Sequence, residues 1–195
     1  YDFRVGHDFP ENIKDYDLII HCGGCMINRK TILNRIDFCR DEEVPMIAMQ
    51  VLIYPAVAIG DVSVQGYQWA EDMIKIAPEL EEKVRPLTGL GRPNKESNDP
   101  MVGSYLPNFD LINDPYVSPM IAKSHSNLPK AILVGAEFDG LRIQTEFYAK
   151  QLQDAGVDVT CYRYKGMTHA FIDKLGFVPQ AEDLADVIAE AIKNI

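Results

Sequence analysis

Three short apolar runs and a fourth run rich in β-formers, separated by longer helical patterns, limit what this chain can become. They are Asp17–His21 (DLIIH), Ile47–Tyr54 (IAMQVLIY), Lys130–Ala136 (KAILVGA) and Val159–Tyr164 (VTCYRY). Runs without polar alternation read as strands covered on both faces, the signature of a parallel sheet. The connecting patterns are helical. Ile27, Ile32, Leu33 and Ile36 recur at helical spacing within Met26–Arg40. A second helix is expected over Leu141–Ala155, closed by Gly156 where a left-handed residue is needed. A third, Ala181–Ile195, repeats Leu184, Val187, Ile188, Ala191 and Ile195. Strand and helix in alternation predict an α/β fold, a parallel sheet with flanking helices.

The long interval from about 56 to 129 breaks this rhythm. Prolines at 78, 86, 93, 100, 107, 115, 119 and 129 punctuate it, so it reads as an irregular insert. Within it, Trp69–Lys83 is the one stretch expected to form a helix.

Composition narrows the function classes. The 195 residues carry a net charge of −10, against the basic face that phosphate binding requires, so no nucleic-acid partner is expected. No run approaches the roughly 20 apolar residues of a membrane span, and the opening YDFRVGHDFPENIKD lacks a secretory layout. No membrane partner and a cytoplasmic location are the corresponding expectations. The four cysteines, Cys22, Cys25, Cys39 and Cys161, do not read as a disulfide framework in that setting.

In open sheets of this kind, ligands gather at the carboxyl ends of the strands. Three such ends carry chemistry: His21-Cys22-Gly23-Gly24-Cys25, Glu137-Phe138-Asp139 and Gly166-Met167-Thr168-His169. All three should open on one edge. One helix and one strand fit between Asp139 and His169. A buried carboxylate fixes an imidazole tautomer, and the imidazole takes a nucleophile's proton, so the two residues are candidates for catalytic acid and base. The plainer alternative makes Asp139 a helix cap and His169 an ordinary loop residue.

The stretches QVLIYPAV (50–57), DPYVSPM (114–120), LPKAILVGAEFDGLR (128–142) and YAKQLQDAGVDVTCYRYKGMTHAF (148–171) resemble, in order, the carboxyl half of α/β-hydrolases of the hormone-sensitive-lipase-like esterase family. The resemblance runs from about residue 48 to the end. It implies a truncated α/β-hydrolase fold, a small-molecule ester as substrate, no cofactor, and Asp139 and His169 as triad acid and base. Gly140 stands where that family more often has proline. The larger departure is the nucleophile. Ser63, Ser97, Ser104, Ser118, Ser124 and Ser126 all lie outside any G-x-S-x-G elbow, and the family's oxyanion-hole glycine motif is missing too. Acid and base are present without serine or oxyanion hole, so impaired activity is expected.

Residues 1 to about 45 resemble a second family. DFPENIKDYDLIIHCGGCMINRKTILNRI is similar to the carboxyl end of HydF, the GTPase that matures FeFe-hydrogenase. That resemblance implies an iron–sulfur cluster held by Cys22 and Cys25, with His21 as a further ligand, and a scaffold role in hydrogenase maturation. A cluster needs about four ligands. Two chains in a homo-oligomer would supply four thiolates, whereas Cys39 and Cys161 read as small buried hydrophobes. The chain thus divides into a cluster-type tail segment, 1–46, and a hydrolase carboxyl half, 47–195. In the hybrid, Cys22 or Cys25 falls roughly where the hydrolase serine would stand. Met26 and Ile27 crowd the turn after Cys25, and Cys22 sits early on it, so the expected outcome is an inert turn. A non-catalytic hybrid fragment is the third reading.

Overall fold

A computed structural model of the chain describes residues 2, 8–23, 29–59, 64–68, 71–88, 103 and 106–194. Four strands form one sheet in the order β1 (Ile19–Gly23), β2 (Met46–Ile53), β3 (Lys130–Phe138) and β4 (Val159–Thr168). Every neighbouring pair is parallel. Among the described residues, three helices of more than one turn connect or follow them: α1 (Arg29–Asp41), α2 (Arg142–Asp154) and α3 (Pro179–Lys193). The expected α/β architecture is therefore the observed one. The first strand begins two residues later than its apolar run suggests, in register with β2 from Ile19 opposite Met46.

β3 has the most continuous burial, with Ala131 through Ala136 all buried. It lies between β2 and β4 and is packed on both faces, which explains why its sequence lacks polar alternation. On one face Met49, Val51, Ile132, Val134 and Ala136 meet Phe171 and, from α3, Ala181 and Leu184. On the other, Ala131 and Leu133 meet Val57, Met120 and the α2 residues Tyr148, Ala149 and Leu152. A smaller cluster of Ile13, Cys39 and Val44, with Ile19 and Met46 against it, sits beside β1. No described helix is long and apolar enough to cross a membrane.

The helix boundaries obey local chemistry. α2 ends before Gly156, whose φ is +83°, as its place in the sequence predicts. α3 starts at Pro179, where the missing N–H costs no intrahelical bond.

The helix expected over Trp69–Lys83 does not form among the described residues. Glu71–Met73 and Pro78–Leu80 are separate 3-10 turns, and only Glu81–Val84 makes one α turn. Pro78 removes a donor that a continuous helix would need, and tertiary bonds claim the preceding backbone: the Met73 carbonyl accepts from Arg142 Nη2 at 2.6 Å.

Cys39 is buried, as expected, but Cys161 is exposed. Its strand, β4, is the last of the sheet, so its side chains are covered less completely than those of β3. That corrects the reading of Cys161 as a buried hydrophobe.

Candidate active site

The carboxyl ends of β3 and β4 lie side by side, and the pairing between them is irregular there. The register shifts between Ala136 and Phe138, so that Phe138 pairs with Thr168 while Ala136 pairs with Tyr164. Gly166 takes up the extra length with a φ of +74°, and its N–H donates to Glu137 Oε2 at 2.7 Å. An irregularity of this kind bends a strand and re-aims the side chains beyond it. Here the residue directly beyond the end of the strand is His169.

Asp139 leaves β3 almost fully buried and divides its two oxygens between two tasks. Oδ1 accepts the Leu141 N–H at 2.9 Å, and Oδ2 pairs with His169 Nδ1 at 2.9 Å. The loop holding it is fixed further by Gly140, whose N–H donates to the Thr88 carbonyl at 2.7 Å. The helix-cap alternative fails in its simple form, since the residue flanking α2 is Leu141 and makes no side-chain cap. Asp139 instead closes a short turn with one oxygen and holds the histidine with the other.

His169 is half exposed. Because its Nδ1 faces a carboxylate, that nitrogen carries the proton, and Nε2 is the accepting nitrogen of the neutral ring. The hydrogen bond to Asp139 raises its pKa above the ordinary histidine value. Burial opposes the shift, while the charges of Asp139 and Asp173 reinforce it.

Tyr54, just past the end of β2, completes this corner. Its ring centroid lies 5.1 Å from that of His169, and its hydroxyl accepts the Ile172 N–H at 3.2 Å. Sequence reasoning gave Tyr54 no role. The signals were its place at the end of the apolar run Ile47–Tyr54, on the same edge as Asp139 and His169, and within the stretch QVLIYPAV.

The third strand end is seen only in part. His21 and Cys22 lie in β1 as backbone, opposite Ala48 and Met49. Their side chains, and Cys25 altogether, are outside the described residues. Among the described residues no group of three or more His, Cys, Asp or Glu could hold a metal.

A parallel sheet flanked by helices, with a carboxylate–imidazole pair on the carboxyl ends of adjacent strands, has the architecture of an α/β-hydrolase. The family model described as alpha/beta hydrolase fold matches residues 32–173, and the chain belongs to that family.

Among relatives, an arylesterase of Saccharolobus solfataricus is 43% identical over 86 residues, 44% of this chain and 27% of its own length. An ethyl acetate hydrolase of Pseudomonas putida is 32% identical over 81 residues, 42% of this chain and 26% of its own. The solved structure of an arylesterase superposes with a TM-score of 0.57 at 28% identity, covering 85% of this chain and 48% of that one. A hyperthermophilic esterase from Pyrobaculum calidifontis gives 0.54 at 26% identity, over 81% and 47%. The chain thus spans about a quarter of the length of these two relatives in alignment and just under half of these structures.

Proposed function

We propose that this chain carries the acid–base half of a carboxylic ester hydrolase site for small acyl esters. The observation that carries the reading is the bond between buried Asp139 and half-exposed His169. The names of the relatives, arylesterase and ethyl acetate hydrolase, support esters as the substrate class.

The pair acts by proton transfer. Neutral His169 takes a proton at Nε2 from the attacking hydroxyl as its oxygen bonds to the acyl carbon. Asp139 stabilises the resulting imidazolium. His169 then returns the proton to the departing alkoxide as the ester C–O bond breaks. The serines of these residues lie outside any G-x-S-x-G elbow, and in this reading the attacking hydroxyl is that of water. Without an oxyanion-hole motif the reaction also lacks a contribution of about 10²–10³ in rate. Hydrolysis by the chain as it stands is therefore slow.

Short-chain p-nitrophenyl esters test this. Weak turnover above buffer, reduced to the buffer rate in His169→Ala, is the expected result. Turnover equal in the wild-type and His169→Ala chains would remove the hydrolase reading. Loss of turnover in Cys22→Ala or Cys25→Ala would transfer the attacking role from water to that thiol.

A further inference from the structure

Tyr54 has left-handed backbone, with φ of 49°. Aromatic residues occupy that region only where their surroundings hold them there. Tyr54 is held at both ends. Its N–H donates to the Val134 carbonyl at 2.8 Å, and its buried side chain reaches the loop after β4. There it makes three contacts within four residues of sequence. The ring packs on His169, centroids 5.1 Å apart and tilted by 53°. It meets Phe171 edge-on at 5.3 Å. The hydroxyl accepts the Ile172 N–H.

Asp139 fixes a single atom of the imidazole, and one hydrogen bond leaves a ring free to swing about that bond. The loop offers little stiffness of its own. His169 and Ala170 form a turn between β4 and the 3-10 turn Phe171–Lys174, and Ala170 is itself left-handed at 61°. We propose that Tyr54 is the positioning residue of His169: its ring fixes the plane of the imidazole, and its hydroxyl fixes the loop that delivers it. The strained backbone of Tyr54 places the ring against the histidine.

This inference rests on the reading of His169 as the base, but its test needs no ester turnover. The charged groups acting on the imidazole are Asp139 and Asp173. Burial pushes the Tyr54 phenol well above its usual range, so it stays neutral while His169 titrates. A looser loop weakens the Asp139 bond and lowers the pH at which His169 loses its proton.

The experiment tracks the His169 Cε1–H by NMR against pH in the full chain, together with exchange of the Ile172 amide. In Tyr54→Phe the Ile172 amide should exchange about tenfold faster. His169 should titrate about half a pH unit lower than in the wild type, towards its value in Asp139→Asn. Tyr54→Leu should lower it further. Tyr164→Phe, which removes another hydroxyl bond beside Phe171, should leave His169 unchanged.

Wild-type titration in a folded Tyr54→Phe chain would overturn the proposal. So would an equal fall in Tyr164→Phe, or a wild-type His169 that already titrates as in Asp139→Asn. Tyr54→Phe alone decides the matter if Tyr54→Leu does not fold. The expected titrations without ester turnover would support Tyr54's role while counting against the hydrolase reading.

Discussion

The Nδ1–H of His169 donates to Oδ2 of Asp139 across 2.9 Å, joining residues 30 positions apart on adjacent strand ends. The bond raises the folded-state pKa of His169 above its unfolded value. A group raised in this way contributes stability that is fully present below the unfolded pKa, about 6.5, and is lost as pH rises through the folded pKa. Asp139→Asn removes that contribution. The wild-type advantage in urea unfolding should therefore be largest below about pH 6.5 and shrink as pH rises beyond it. An advantage that grows with pH would contradict the assignment.

Gly140 should not tolerate the proline more common at this position in the resembling family. Its N–H donates to the buried Thr88 at 2.7 Å, a bond proline cannot make. Leaving the Thr88 carbonyl without this donor should cost about 1–2 kcal/mol in Gly140→Pro, read as a lower urea midpoint at unchanged slope.

Gln144 anchors the start of the insert to α2. Its Oε1 accepts the N–H of Val57 at 2.9 Å and of Ala58 at 3.0 Å, all in buried surroundings. Gln144→Met keeps the length and removes the acceptor, orphaning two donors. A loss of about 2–4 kcal/mol is expected, with faster amide exchange at 57 and 58. Exchange unchanged at both positions would show that other acceptors replace the glutamine.

Tyr164 ties β4 to α3 through its hydroxyl, which donates to Asp183 Oδ2 at 2.6 Å. Burial first, and this bond second, hold its phenol well above the usual range. Tyr164→Phe should lower stability by about 1–2 kcal/mol, as expected for a hydrogen bond to a charged partner near the surface. Thermal unfolding compared with Asp183→Asn checks this, because loss of the same bond should make the two effects less than additive.

The iron–sulfur alternative turns on residues at the end of β1. Anaerobic reconstitution with iron and sulfide, then iron analysis of the wild type and Cys22→Ala, tests it. Retention of no iron would count against Cys22 and Cys25 as cluster ligands.

The four strands, their parallel arrangement and the placing of Asp139 and His169 at one sheet edge were legible in the order of amino acids alone. Those signals are local. Unbroken apolar runs such as KAILVGA can be buried only between layers, and right-handed crossovers leave few ways to order such strands. Asp139 and His169 could be picked out because each follows an expected strand, while their roles as acid and base came from the resemblance to esterases.

The roles of Tyr54 and Gln144, whose partners lie far along the chain, emerged only from the packed fold. Tyr54 meets Ile172 across 118 positions, and Gln144 meets Val57 across 87. No periodicity encodes contacts of that range. The stretch around Pro78 went the same way, since Arg142 claims the carbonyl of Met73 from across the fold. Periodicity reports which face of an element is apolar. Which polar atom meets which is set only when the elements have packed, because an unpaired donor buried by that packing costs more than any local propensity returns.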